Sequence, residues 1–208
     1  MVSFPRSGKD MSIMVAGAGP GNINFLTAEV LSAIQQAETV ACFERLASDL
    51  KSVRRDIITV KTMEDVLQTV NAKNDVLILA SGDPCFFGIT EFLKNKGVKI
   101  DRVLTGISSM QYFMSRLQKQ WQTIRFYSFH GRTFDFSKIK EERLFCVLTD
   151  KVNNPDFISQ ILKKENISGK LYVGYNLSYN DELIETYTIG EKIKVKSELN
   201  VVLAERES

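Results

Sequence analysis

The sequence predicts an α/β protein of two lobes, and three observations carry that reading. Short apolar runs bounded by polar residues recur at 12–16, 39–43, 57–60, 75–80 and 102–104. Stripes at helical spacing separate them. Near residue 118 the pattern changes, and the last forty residues alternate with period two. Alternating β and α units of this length imply a mainly parallel sheet with right-handed crossovers. The later pattern implies a second, mixed sheet, with lobes expected at 12–118 and 123–206.

Each element follows from its residues. The first strand is 12–16, and the stripe Leu26, Val30, Ala33, Ile34, Ala37 predicts a helix from about 24 to 37. Strands at 39–43 and 57–60 flank a short helix at 45–51. Met63, Val66, Leu67 and Val70 mark the next helix. The run at 75–80 is apolar without alternation, as in a strand buried on both faces. Ile89, Phe92 and Leu93 share a helical face after it, and a strand at 102–104 precedes a helix over 107–117. In the second lobe, strands are expected at 124–129, 144–148 and 171–175. Asn154 and Pro155 supply a cap and a first-turn proline for a helix carrying Phe157, Ile158, Ile161 and Leu162. Leu183, Glu185, Tyr187 and Ile189, then Leu199, Val201 and Leu203, suggest a closing antiparallel pair.

Composition narrows the function. The chain has 208 residues, 44% of them hydrophobic and 25% charged, as in an ordinary globular protein. A net charge of +2 provides no strong field for nucleic acid or membrane, so neither partner is expected. No apolar run approaches the roughly 20 residues that span a bilayer. The first ten residues lack the apolar stretch of a signal peptide. Three scattered cysteines argue for a reducing cytoplasm, and one histidine without a close cysteine pair argues against a metal site.

Three glycine-bearing loops carry the chemistry. Gly19-Pro20-Gly21, Ser81-Gly82-Asp83-Pro84 and Gly106-Ile107-Ser108-Ser109 follow the first, fourth and fifth strands. In a parallel sheet they end on one edge, where ligands bind. Asp83 is placed to cap the next helix or to hold a ligand hydroxyl. Gly17-Ala18-Gly19-Pro20-Gly21 approaches a dinucleotide fingerprint, with Glu44 where a ribose-binding acid would stand. However, Asn22 replaces the third glycine and Pro20 removes a donor. Cys85 reads as packing, since nothing near it marks an activated thiol.

These loops, in this order and spacing, resemble the tetrapyrrole (corrin/porphyrin) methyltransferase family. Ser128-Phe129-His130-Gly131-Arg132, Leu148-Thr149-Asp150 and Asn176-Leu177-Ser178-Tyr179 narrow the resemblance to the branch that methylates a cobalt-corrinoid precursor at C5 in cobalamin synthesis. The resemblance covers about residues 12–205. It implies two α/β lobes with S-adenosylmethionine bound in the cleft between them, and a homodimer. Pro20, Ser81, Gly82, Asp83, Phe86, Ser108, Ser109 and Leu148 would line the cofactor pocket. Asp83 would hold the amino acid or ribose part, and Phe86 and Leu148 would pack the adenine or ribose. Some relatives are fused to a domain that methylates C15 and decarboxylates. This chain has no room for that domain, so a separate subunit is implied.

A substrate rich in acetate and propionate groups suits bidentate arginine forks, and Arg45, Arg116, Arg125 and Arg132 are candidates. Singly each reads as a surface charge, except Arg132, which follows His130-Gly131 at a strand end. His130 is a hydrogen-bonded structural residue, or else a substrate contact or the base that removes a ring proton after methylation. The rival readings are a methylase for another ring carbon, for RNA or for diphthamide, and a non-catalytic nucleotide-binding module.

Overall fold

A computed structural model describes residues 12–129 and 135–207. The chain divides into two compact units, Met1–Ser108 and Ser109–Ser208.

In the first unit the strands are β1 (Ser12–Gly17), β2 (Thr39–Phe43), β3 (Ile58–Val60), β4 (Asp75–Ala80) and β5 (Arg102–Leu104). They form one parallel sheet in the order β3-β2-β4-β1-β5. The connecting helices are α1 (Ala28–Gln36), α2 (Glu44–Asp49), α3 (Met63–Ala72) and α4 (Ile89–Asn95). They cover both faces of the sheet. Leu77 and Leu79 of β4 join a core with Val30, Ala33 and Ile34 of α1 and Leu46 of α2. Val76, Ile78 and Ala80 join the opposite core with Val66 and Val70 of α3 and Ile89 and Leu93 of α4. Burial on both faces is why β4 shows an unbroken apolar run.

α1 begins later than its stripe suggests. Thr27 accepts a hydrogen bond from the Val30 N–H and caps it, while residues 23–25 form a separate 3-10 turn capped by Asn22. Two successive polar caps therefore split what hydrophobic spacing reads as one helix. The far end of α1 has a different solution. The last carbonyls of a helix have no partner within it. Arg54 supplies one, donating from Nη1 to Ile34 O (2.8 Å) and Ala37 O (2.6 Å) and from Nη2 to Glu38 O (3.1 Å). Asp56 holds the same guanidinium through two further bonds of 2.9 Å.

The second unit opens with α5 (Ser109–Leu117), where the sequence reading kept this helix with the first lobe. Its strands are β6 (Arg125–Ser128), β7 (Leu144–Leu148), β8 (Gly169–Tyr175), β9 (Leu183–Thr188) and β10 (Asn200–Arg206), and α6 (Pro155–Lys164) follows β7. The sheet order is β6-β7-β10-β8-β9, with only β6 and β7 pairing in parallel. This corrects one expectation. β9 and β10 do not pair with each other; each pairs antiparallel with β8, which lies between them. Alternation shows that a strand has one buried face, but not which neighbour it takes. α5 packs on this sheet, where a Cβ at Gly174 would lie 2.9 Å from the Phe113 ring. Asn154 caps α6 at the Phe157 N–H, and Ile158 and Leu162 enter the core with Phe145, Val147, Leu171 and Val202.

The Arg54 clasp gives a direct test. Arg54 has a side chain only 13% exposed and closes the end of a core helix. Arg54→Ala should cost about 2–3 kcal/mol in urea denaturation with an unchanged m-value, and Arg54→Lys should recover only part of it, because an ammonium cannot reproduce the fork. Wild-type stability in Arg54→Ala would remove the clasp from the account of α1.

Candidate functional site

β4, β1 and β5 are neighbours and run parallel, so the three loops after them emerge side by side at one sheet edge. Backbone contacts join them. Gly82 N donates to Gly19 O (2.7 Å), and Gly19 N donates to Gly82 O (3.3 Å). Gly82, at a φ of 70°, turns the chain directly after β4. Its carbonyl lies where two side chains would otherwise begin: a Cβ on Gly17 would be 2.5 Å from that oxygen, and one on Gly106 2.2 Å. Three loops meet here because none carries a side chain at the contact.

Asp83 is the second tie. Its Oδ1 accepts from Cys85 N (2.8 Å), closing the turn. Its Oδ2 accepts from Thr105 Oγ1 (2.8 Å) and Gly106 N (3.1 Å), both from the loop after β5. It does not cap α4, whose N-cap is Gly88. Pro84 lies ahead of that helix, which begins at Ile89. A carboxylate offers about four lone-pair sites, and protein donors take three here. Thr105 was not among the expected residues. No motif marks it, and only the adjacency of β4, β1 and β5 brings it to Asp83.

The other predicted residues of this unit also gather at the edge. Pro20 is buried beside Gly19, and Ser108 is buried at the end of the β5 loop. Arg45, in the first turn of α2, donates from Nη2 to Ser81 Oγ (3.1 Å). Phe86 is half-buried, with its ring 4.8 Å from that of Phe87. Phe87 has a φ of 54° and is 44% exposed. A left-handed aromatic residue is strained, and here it is displayed on the same loop. Of the thiols, Cys85 is exposed while Cys42 and Cys146 are buried. Burial, with Asp49 nearby, pushes Cys42 up to about 12, and burial raises Cys146 as well. Neither is a thiolate nucleophile at neutral pH.

In the second unit, Ser109 is the first residue of α5, and half-buried Leu148 ends β7, its carbonyl accepting from Phe129 N (3.0 Å). Beyond Leu148, Thr149 Oγ1 donates to Asn200 O (2.7 Å), and Asn153 Nδ2 donates to Phe129 O (3.0 Å). His130 and Arg132 lie outside the described residues. Arg116 was expected to be available to a substrate carboxylate. Instead its Nε donates to Glu182 Oε1 (2.7 Å), and Ser178 N donates to Glu182 Oε2 (2.7 Å). Arg125 lies 3.9 Å from Glu142 and is mostly exposed. Among the described residues no cluster of three or more His, Cys, Asp or Glu has the geometry of a metal site. No helix among them is long and apolar enough to cross a membrane.

The chain that builds this edge from backbone and small polar side chains belongs to a known class. The family model for tetrapyrrole (corrin/porphyrin) methylases matches residues 12–193, and the chain belongs to that family. The family is one of S-adenosylmethionine-dependent methyltransferases, and the chain is a methyltransferase of it. Within the family it is similar to the cobalt-precorrin-7 C(5)-methyltransferase of Salmonella typhimurium, 28% identical over 196 residues, which are 92% of this chain and 97% of the relative. The fold is similar to that of a cobalamin-biosynthesis precorrin-6Y methylase from Archaeoglobus fulgidus, with a TM-score of 0.75 at 19% identity over 97% of this chain and all of the other. It is also similar to that of a uroporphyrin-III C-methyltransferase from Thermus thermophilus solved with S-adenosylhomocysteine. There the TM-score is 0.77 at 19% identity, over 93% of this chain and 97% of the other.

The contacts of Glu182 make a pH-dependent expectation. Burial would raise its carboxyl, but donors from Ser178, Tyr112 and Arg116 outweigh that and hold it below the ordinary value of 4.5. A depressed folded-state value stabilises at neutral pH, and that stability is lost as pH falls through it. Glu182→Gln should therefore be less stable than the parent at pH 7, with the gap closing below pH 4.5. Denaturant titrations across that range check this; a gap independent of pH would contradict it.

Proposed function

We propose that this chain transfers a methyl group from S-adenosylmethionine to C5 of a cobalt-precorrin in cobalamin synthesis. The observation that carries the reading is the similarity, along nearly the whole of both chains, to a relative named for that reaction.

The residues of the first unit fit the donor. Its amino acid part, ribose hydroxyls and heteroaromatic base need backbone donors, small polar groups and an apolar surface together. The edge presents Ser81, Ser108 and the loop backbones for the first two, and the Phe86–Phe87 pair for the third. We assign Pro20, Ser81, Gly82, Asp83, Phe86 and Ser108 to the cofactor, with Asp83 shaping the loops as well as facing the ligand. S-adenosylmethionine supplies a methyl on sulfonium sulfur, electrophilic enough to need alignment and exclusion of water rather than a protein nucleophile. The chain's task is to hold the electron-rich ring carbon in line and to orient the carboxylate-fringed ring. We assign that orientation to Arg132 and Arg45, with Arg116 contributing only where a substrate carboxylate competes with Glu182. His130 is assigned to removal of the ring proton. The same reading carries a homodimer in a reducing cytoplasm.

The decisive experiment incubates the purified chain with labelled S-adenosylmethionine and individual corrinoid intermediates, followed by mass spectrometry. One added methyl at C5 is expected, and calorimetry should show S-adenosylhomocysteine bound in preference to NAD. Methylation of another ring carbon would keep the family and overturn the position.

Kinetics separate the roles of Arg132 and His130. Arginine–carboxylate contacts are mostly uniform binding, so Arg132→Ala should raise KM with little change in kcat. His130→Ala should lower kcat by roughly 10²–10⁴-fold if it moves the proton. Parent-like constants for both variants would leave the corrinoid site elsewhere.

A further inference from the structure

We propose that Thr105 is a positioning residue for the methyl donor, acting through Asp83. The proposal rests on the reading of the β1, β4 and β5 loops as the cofactor's edge, and it adds a residue that neither the motifs nor the resemblance assigns.

The geometry is specific. Asp83 Oδ1 is fixed within its own turn by Cys85 N (2.8 Å). That leaves Oδ2 to face the β5 loop, where it takes the Thr105 hydroxyl (2.8 Å) and the Gly106 N–H (3.1 Å). Bonds onto an ionised acceptor are stronger than neutral ones. Two donors from adjacent residues also set the loop's orientation, which a single donor does not. The β-branched side chain of threonine, restricted at χ1, presents the hydroxyl with little rotamer freedom to lose.

The consequence reaches beyond the pair. A Cβ at Gly106 would lie 2.2 Å from Gly82 O and 2.7 Å from Gly17 Cα. The three loops touch with no slack, so a shift of the β5 loop moves the groups on all of them, Ser81 and Ser108 included. Thr105 itself is exposed and contributes nothing to the core. Losing its hydroxyl should therefore change the shape of the edge far more than the stability of the fold.

The test titrates S-adenosylhomocysteine into the full chain by calorimetry, with thermal melting in parallel. Thr105→Val keeps the shape and removes the hydroxyl; it should weaken binding about tenfold, the worth of one charge-assisted hydrogen bond. Its melting temperature should stay within about 3 °C of the parent. Thr105→Ser restores the hydroxyl and should bind within about threefold of the parent. In an Asp83→Ala background, Thr105→Val should cause no further loss. Where Asp83→Ala does not fold, Asp83→Ser serves instead: its hydroxyl keeps an acceptor for Cys85 and has no second oxygen for the β5 loop. Parent-like binding by Thr105→Val overturns the proposal. So does equal weakness in the valine and serine variants, since serine keeps the hydroxyl and its weakness would have another cause. A full Thr105→Val effect without the Asp83 carboxylate would place Thr105 on the ligand itself, and also overturns it. If the unaltered chain does not bind S-adenosylhomocysteine, the cofactor assignment fails and the proposal fails with it, a result distinct from binding by the parent that is unchanged in the variant.

Discussion

The Gly82 carbonyl is the point on which the first unit's edge depends. It lies within 2.5 Å of where side chains at Gly17 and Gly106 would begin. Only a backbone without Cβ atoms lets three consecutive sheet positions bring their loops into contact. This close approach, with the reciprocal Gly19–Gly82 pairing, extends the order of β4, β1 and β5 past the end of the sheet. The outcome is a surface made largely of peptide groups. Such a surface presents donors and acceptors whose positions are set by the sheet, not by rotamers.

The second unit builds its corresponding edge in another way. The C-terminal ends of β6, β7 and β8 and the starts of β9 and β10 fall together, because β10 runs antiparallel to both of its neighbours. Side chains, not glycines, join the connections. Thr149 reaches Asn200, Ser197 donates to Asn176 Oδ1 (2.6 Å), and Glu182 accepts from Ser178 N. Asn176 and Ser178 take left-handed φ values of 45° and 74°, the bend that turns the chain sharply after β8. Asparagine tolerates this conformation well and serine less so. The Glu182 bond to the Ser178 N–H compensates for that cost.

Much of this fold is legible from the residues, for a physical reason. Burial on both faces writes itself into β4 as Val76-Leu77-Ile78-Leu79-Ala80, and helical stripes such as Val66/Val70 and Ile158/Leu162 announce one buried face. The three loops are legible because close backbone approach demands glycine. What stays hidden depends on partners distant in sequence. β9 and β10 look like a pair, since alternation is a property of one strand, but β8 separates them. Arg54 stands in no motif, and only the fold brings it to the end of α1, 16 to 20 residues away. Arg116 is a candidate for a substrate carboxylate that singly reads as a surface charge, and its partner Glu182 lies 66 residues on. Thr105 has no signal of its own, and only the sheet order gives it Asp83.

The same contrast bears on how a methyl transfer can run without an activated nucleophile. The two thiols buried in the cores are held protonated by their surroundings, and Asp83 is engaged by three protein donors. A reaction that needed a strong protein base or nucleophile at this edge would find these groups committed elsewhere. A reaction limited by alignment would not, because effective concentration in a well-ordered site replaces chemical activation. The strained, displayed Phe87 fits the same logic. Its φ of 54° carries an energetic cost that burial does not offset, since the ring is 44% exposed. One packed core can sustain such a conformation because it holds both ends of the loop, Ala80 and Ile89. Rigidity in the sheet is thus what makes a strained and exact loop possible at its edge.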